Sequence, residues 1–302
     1  MEKPFILHML TPMAHMSPFD VNMACDAGYN IVVPYTNVTL EQVAGLTQDA
    51  IFSRGPKGVK RTGIFIGGRD NLLASDMLEA ARKAMVPPFE ACVFADPSGA
   101  FTTAGAMAAC VERQLKKAHQ TTLAGKTVAV FGGTGPVGAA VAVLAAQAGA
   151  SAALVARDDK NRTQRAAETL SQRYGVPIGV LDATNPWARL AAMNTIDIAL
   201  ATARAGVQVL SQEDLRAAGR LLVVADANAV PPGGVRGVGL MDDGNSLEAA
   251  SGQAVSIGAL SIGQIKYQTE RGLFESMLQG EKARYLDMRD AFFEARKHAG
   301  LA

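Results

Sequence analysis

Apolar positions along this chain follow two rhythms. Short β-prone runs alternate with longer stretches in which apolar residues recur every three or four positions, and Gly, Pro, Ser or Asp mark the joins. In the first third, strands are expected over 5–9, 29–33, 50–53, 63–66 and 91–95. Ser17 followed by Pro18 predicts a helix start, and Gly28 ends that helix. Asn37 or Thr39 caps a short helix through Val43. Asp70 or Asn71 opens another, carrying Leu72, Met77, Leu78 and Ala81, that stops before Pro87-Pro88, and an Ala-rich helix covers about 101–118. A polar stretch over 121–125 reads as a linker. A second series follows, with strands over 128–131, 151–155, 178–181, 196–199 and 221–224, a Pro231-Pro232-Gly233-Gly234 loop, and a helical tail over about 261–297 with Leu273, Phe274, Met277 and Leu278 on one face. Repeated strand–helix alternation predicts an α/β fold of parallel sheets covered by helices. The expected division is one α/β domain over 1–120, completed by C-terminal helices over 265–302, and a second over 121–264.

The strand Val128-Ala129-Val130-Phe131 runs directly into Gly132-Gly133-Thr134-Gly135-Pro136-Val137-Gly138, and an Ala/Val-rich helix follows. Gly133, Gly135 and Gly138 fit G-x-G-x-x-G. The first glycine permits a tight turn, the second lets backbone approach a pyrophosphate, and the third lets the helix pack on the strand. The glycine pattern alone is common; the strand before it and the helix after it supply the context a Rossmann-type dinucleotide site requires. Gly133, Thr134, Gly135, Pro136, Val137 and Gly138 are therefore the expected phosphate cradle, with helix N–H groups facing the phosphates. NAD-preferring folds place an acidic residue about 20 positions further on. Here the second strand ends Val155-Ala156-Arg157-Asp158-Asp159-Lys160. Arg157 stands where the acid falls and suits a 2′-phosphate, while Asp158 can meet a ribose hydroxyl, so both NADP and NAD are expected. A solvated strand-end charge is the plainer reading of Arg157. Thr202 with Ala203, and Asp226 with Asn228, follow later strands and are expected beside the nicotinamide half of the cofactor. No second nucleotide motif and no flavin signature is evident.

Composition narrows the field. The chain has 302 residues, 49% hydrophobic and 19% charged, which suits two domains with a large core. The formal net charge of +1 offers no field for nucleic acid and no polybasic membrane patch. No apolar run approaches the roughly 20 residues of a membrane span. Glu2, and an apolar run broken by His8, Thr11 and Pro12, do not read as a signal peptide. Cys25, Cys92 and Cys110 lack C-x-x-C spacing and read as buried thiols in a reducing cytoplasm.

Metal chemistry finds no support, because His8, His15, His119 and His298 are scattered and none lies at ligand spacing with a Cys or acid. No G-x-S-x-G elbow and no Tyr-x-x-x-Lys pair after the nucleotide loop is present. Two segments stand out. Asp96-Pro97-Ser98-Gly99-Ala100-Phe101-Thr102-Thr103 follows a buried strand, where the carboxylate and the hydroxyls of Ser98, Thr102 and Thr103 could hold a polar heterocycle. Helix capping by Asp96 or Ser98 is the structural alternative. Ser256-Ile257-Gly258-Ala259-Leu260-Ser261-Ile262-Gly263-Gln264-Ile265-Lys266 allows a close backbone approach and sets Lys266 one turn into a helix, or else reflects tight helix–sheet packing with a snorkelling lysine.

With these segments in view, the sequence resembles the bacterial NAD(P)-dependent methylene-tetrahydromethanopterin dehydrogenases. The resemblance is carried by Ser17-Pro18-Phe19-Asp20-Val21, Tyr35-Thr36-Asn37-Val38-Thr39, Gly63-Ile64-Phe65-Ile66-Gly67-Gly68, the glycine loop, Asp226-Ala227-Asn228-Ala229 with Pro231-Pro232, and Gly258-Ala259-Leu260-Ser261-Ile262-Gly263, in order along nearly the whole chain. Thr11-Pro12-Met13-Ala14-His15 looks most like members that accept both NAD and NADP. The resemblance implies a fold akin to the methylene-tetrahydrofolate dehydrogenase/cyclohydrolases, with a pterin site in the first domain. In that folate relative a Tyr-x-x-x-Lys pair serves the cyclohydrolase step; here Thr39 stands where Tyr35 would need its lysine, so dehydrogenase activity alone is expected. It also implies hydride transfer from methylene-tetrahydromethanopterin to NAD(P)+ in one-carbon (formaldehyde oxidation) metabolism. Lys266 would face the pterin, Asp20 or Asp96 would oppose the growing positive charge, and Tyr35 and Asn37 would join Ser98, Thr102 and Thr103 around the substrate. A homo-oligomer is expected by fold-level analogy. The rival readings are a methylene-tetrahydrofolate dehydrogenase, a shikimate-type dehydrogenase and a non-catalytic NADP sensor. The shikimate-type enzyme needs a Lys/Asp pair, and Lys57 and Lys60 are expected in a Gly/Pro-rich loop that suits a solvated or substrate-steering surface better.

Overall fold

The computed structural model describes residues 3–279 and 282–301. The order of elements is β1 (Ile6–Leu10), α1 (Pro18–Ala27), β2 (Ile31–Tyr35), α2 (Leu40–Phe52), α3 (Gly55–Val59), β3 (Thr62–Ile66), α4 (Asn71–Lys83), β4 (Cys92–Ala95), α5 (Ala100–His119), β5 (Thr127–Phe131), α6 (Pro136–Gln147), β6 (Ser151–Ala156), α7 (Lys160–Tyr174), β7 (Gly179–Asp182), α8 (Pro186–Met193), β8 (Ile198–Ala201), α9 (Gln212–Ala217), β9 (Val223–Asp226), β10 (Asp243–Ser246), β11 (Val255–Ile257), α10 (Ala259–Gln279), β12 (Tyr285–Leu286) and α11 (Met288–His298). The expected helical tail is a pair of helices, α10 and α11, with the short strand β12 between them. Gly280 and Glu281, which that expectation also covered, lie outside the described residues, as do Glu2 and Ala302.

Two compact units result, Met1–Thr102 with Tyr267–Glu294, and Thr103–Lys266 with Ala295–Ala302. The first holds a five-stranded sheet in the order β12-β4-β3-β1-β2, every pairing parallel. β3 and β4 are buried along their whole length, as their unbroken apolar runs require. Phe65, Phe94 and Phe274 meet ring to ring beneath this sheet, at centroid distances of 5.2–5.4 Å. Local chemistry fixes the helix starts. The Ser17 side chain accepts from Asp20 N, Thr39 and Gln42 form a capping box, and Asp70 accepts from Leu72 N and Leu73 N.

The second unit carries a seven-stranded sheet, β10-β11-β9-β8-β5-β6-β7, parallel except for β10. Its core joins Ala129, Phe131, Met193, Leu210, Leu215, Leu221 and Val224. In each sheet the chain steps outward on one side and then returns to the other, between β1 and β3 in the first unit and between β5 and β8 in the second. Ligands of open α/β sheets bind beyond the strand carboxyl ends at such reversals.

Three local expectations are corrected. Residues 50–53 are not a strand but the end of α2, whose buried Val43, Thr47, Ala50 and Ile51 keep helical spacing. Lys57 lies within the short helix α3. Cys25 is exposed, whereas Cys92 and Cys110 are buried, and burial pushes the Cys110 thiol up to about 12. No helix among the described residues is long and apolar enough to cross a membrane.

Candidate functional site

In the second unit the glycine loop sits at the reversal between β5 and β8. Gly132 turns the chain with φ +79, and Gly135 N donates to Gly132 O at 2.9 Å, closing the turn. Thr202 folds over the same turn. Its amide and hydroxyl both donate to Phe131 O, each at 2.9 Å. The glycines are demanded by the space. A Cβ at Gly133 would meet Leu154 Cδ2 at 2.6 Å, and one at Gly138 would meet Gly132 O and Thr202 Oγ1, both at 2.6 Å. A Cβ at Gly132 would strike Ala203 N at 2.6 Å. Gly135 precedes α6 with no side chain to cap it, so the first N–H groups of that helix, at Val137 and Gly138, lack an intrahelical acceptor. Thr134 on the loop and Pro136 at the first position of α6 are exposed. Anion-seeking amides at a helix start, on a glycine-rich turn, fit a pyrophosphate.

Arg157 and Asp158 follow β6 directly, both exposed, with Arg157 Nε 3.7 Å from Asp158 Oδ1. Asp159 is spent as the cap of α7, accepting from Arg162 N at 2.9 Å.

Asp226 and Asn228 take a different part from the one expected. Asp226 is 2% exposed, and its carboxylate accepts from Asn228 N at 2.9 Å and Val235 N at 3.0 Å; burial still raises its pKa. Asn228 accepts from Val230 N and Gly206 N and donates to Pro232 O. Asp226 therefore closes its own loop over 228–235, Asn228 ties that loop to Gly206, and both are buried with little surface for a cofactor. They border a small cavity of about 120 Å³ also lined by Ala229, Val230, Leu240 and Ala259. The small-residue segment around Gly258 packs against the 239–240 backbone that borders the same cavity, because a Cβ there would collide with Gly239 and Leu240. Lys266 is half-buried, two turns into α10 rather than one, because the helix begins at Ala259.

The first unit gathers its candidates at the carboxyl edge of its sheet. The loops after the strands are tied in sequence. Asn37 N donates to Met13 O at 2.9 Å, Gly67 N to Leu10 O at 2.9 Å, and Ser98 Oγ to Gly68 O at 2.7 Å. Asn37 and Ser98 both hold left-handed backbone, at φ 56 and φ 54, and both are exposed. Such conformations cost about 1–3 kcal/mol and cluster where a ligand is held. Tyr35 closes β2, its hydroxyl 3.1 Å from His8 Nδ1. Burial, helped by Arg54, holds the His8 pKa below its ordinary value. Asp20 lies buried in the first turn of α1, which starts at this edge.

Asp96 and Thr102 are corrected. Both are 0% exposed. The Asp96 carboxylate accepts from Phe101 N at 2.8 Å, Thr102 N at 3.2 Å and the Thr102 hydroxyl. They anchor the start of α5 beneath Ser98 and offer a substrate no surface. Thr103, the next residue, is half-buried in α5. Reasoning from sequence weighed His8 only as a metal ligand; its meeting with Tyr35 has no local signal, since it depends on the pairing of β1 with β2.

Among the described residues no group of three or more His, Cys, Asp or Glu could hold a metal ion. Residues 18–98 match the family model described as methylene-tetrahydromethanopterin dehydrogenase, N-terminal. Across 297 residues the chain is 49% identical to the NAD(P)-dependent methylenetetrahydromethanopterin dehydrogenase of Methylorubrum extorquens, covering 98% of this chain and 99% of that one. The chain belongs to this dehydrogenase family. A second relative from the same organism, the bifunctional protein MdtA, is 32% identical over 86% of the chain and 88% of its own length. Solved structures of low identity share this fold. A shikimate 5-dehydrogenase from Mycobacterium fortuitum superposes with a TM-score of 0.52 at 19% identity over 98% of both chains, and one from Listeria monocytogenes with 0.52 at 14%, over 90% of this chain and 92% of that one.

Proposed function

We propose that the chain transfers a hydride from methylene-tetrahydromethanopterin to NAD(P)+, leaving methenyl-tetrahydromethanopterin, as a step in the oxidation of formaldehyde-derived one-carbon units. The observation that carries the reading is the 49% identity to the named dehydrogenase over essentially the full length of both chains. In this reading the 121–264 segment binds the nucleotide, and 1–120 with the C-terminal helices binds the pterin.

The glycine turn at 133–138 and the start of α6 hold the pyrophosphate, Arg157 and Asp158 meet the adenosine ribose, and Thr202 and Ala203 border the nicotinamide end. Asp226 and Asn228 act one step back, by fixing those loops. The bound nicotinamide supplies a hydride acceptor. The donor carbon lies between two nitrogens that share the positive charge left behind, so no proton need move in that step. The task of the protein is alignment and exclusion of water. We assign Tyr35, Asn37, Ser98 and Thr103 to the pterin edge, and Asp20 to electrostatic support of the growing cation. Asp96 and Thr102 keep the Ser98 turn in place. Lys266 acts as a positioner, since a bare ammonium beside a forming cation would oppose the reaction. A cytoplasmic homo-oligomer that binds neither nucleic acid nor membrane completes the reading.

The test is reduction of NAD+ and NADP+, separately, by purified protein with methylene-tetrahydromethanopterin, and in parallel with methylene-tetrahydrofolate. Turnover with the methanopterin carrier and both nucleotides is expected. Turnover with the folate alone would move the enzyme to another carrier, and nucleotide binding without turnover would reduce it to a sensor.

A further inference from the structure

The far end of the nucleotide site holds a second charged pair that the assignment above leaves unused. β6 and β7 pair in register, Ala156 opposite Asp182, and Ala183 N donates to Ala156 O at 2.8 Å. Asp182 therefore stands at the same sheet edge as Arg157, one strand over. Its Oδ1 accepts from Thr184 N at 3.0 Å and Thr184 Oγ1 at 2.7 Å, which pins the carboxylate to its own turn. Its Oδ2 accepts from Lys160 Nζ at 3.0 Å. Lys160 is the first residue of α7, directly beyond the Asp159 cap, and its side chain is 58% exposed on a flexible stem.

We propose that Lys160 is the second cation of the 2′-phosphate site, and that Asp182 competes with the phosphate for it and so keeps NAD and NADP close in affinity. The proposal rests on the nucleotide-binding reading above and adds to it the groups that set cofactor choice. Two cations, Arg157 and Lys160, face two carboxylates, Asp158 and Asp182. Asp158 is 88% exposed and only 3.7 Å from Arg157, so either member of that pair can turn away at little cost. With a 2′-phosphate present, Lys160 leaves Asp182 and both cations meet the dianion. With a 2′-hydroxyl, both cations stay with their own carboxylates and Asp158 accepts from the ribose. The nearby Asp159 takes no part, being committed to the helix start. The strong hydrogen bonding around Asp182, from Thr184 first and Lys160 after, holds its carboxyl down at about 2, so it stays an anion at every working pH.

The experiment titrates the full-length protein with 2′,5′-ADP and 5′-AMP by calorimetry at low salt, in the wild type, Lys160→Met, Asp182→Asn and the double variant. Loss of one cation from a solvent-exposed dianion site corresponds to about a ten- to thirtyfold loss of affinity. Lys160→Met is expected to weaken 2′,5′-ADP by that factor and leave 5′-AMP unchanged. Asp182→Asn is expected to tighten 2′,5′-ADP several-fold, and to lose most of that gain when Lys160 is already Met. Equal effects on both ligands, or none, would overturn the proposal while leaving the nucleotide site standing. Failure of the wild type to bind either ligand would overturn the site itself, and the proposal with it.

Discussion

Replacing Gly138 by Ala tests whether the glycine turn is the cofactor cradle. The added methyl would lie 2.6 Å from Gly132 O, 2.6 Å from Thr202 Oγ1 and 2.7 Å from Gly133 Cα. Unstrained contacts of a carbon are about 3.5 Å, so each overlap is close to 0.9 Å. Two of the three atoms are backbone and cannot rotate aside. Overpacking of this kind costs about 1–3 kcal/mol, which lowers the melting temperature by roughly 3–10 °C. The strain is relieved by moving α6 off the turn, which displaces the amides that face the phosphates. A shift of about 1 Å at such a site costs on the order of a hundredfold in kcat/KM. The assay is calorimetric binding of NAD+ and NADP+ together with steady-state kinetics, on protein shown to be folded by circular dichroism. Gly263→Ala, on α10 with nothing within 4 Å of the new methyl, is the matched control. It should gain about 0.4–1 kcal/mol and bind both nucleotides as the wild type does. Wild-type affinity for both nucleotides in folded Gly138→Ala would refute the assignment of the turn.

Asp96→Ala strands two buried amides and a hydroxyl at the head of α5; the expected loss is roughly 3 kcal/mol, read from the urea midpoint, and a loss under about 1 would mean the cap is not structural. His8 has its folded pKa depressed below the ordinary 6.5 by burial and Arg54, so the stability it contributes is complete above about 6.5 and is lost as pH falls through the lower folded value. His8→Gln should therefore flatten the acid side of the stability–pH curve, and an unchanged slope would contradict the burial argument. Lys266→Ala should lower kcat about a hundredfold while nucleotide dissociation constants hold, consistent with a positioning role; normal turnover would remove Lys266 from the site.

What could be read from sequence follows the physics of each feature. The glycine turn was legible because its requirement is local: a strand, a glycine-rich turn and the start of a helix lie within twelve residues from Thr127 to Gly138. The strand series was legible from apolar runs, although β8 and β9 start two residues later than expected. Ile196 and Leu221 are buried and continue the apolar pattern, but they precede the paired ladder. The turn of α2 at 50–53 read as strand because a run as short as Ala50-Ile51-Phe52 suits either period, and only the buried partners at Val43 and Thr47 decide it. β10 and β12 were not legible. One is polar and exists through antiparallel pairing with the next strand, β11; the other is two residues long and pairs with the distant β4. The carboxylates divide for a related reason. Asp96 and Asp226 stand at strand ends like catalytic acids, yet their oxygens turn back onto the amides of their own loops, a choice set by loop geometry and not by residue type. Asp182 escaped notice because its meaning depends on its register with Ala156.

The most direct measurement of the central claim uses methylene-tetrahydromethanopterin deuterated at the methylene carbon, turned over once with NAD+ or NADP+, with the nucleotide product examined by mass spectrometry. The account predicts one deuterium in the reduced nicotinamide from either nucleotide, carried straight from the donor carbon. Reduced nucleotide without deuterium, or no reduced nucleotide from protein that binds the cofactor, would contradict it.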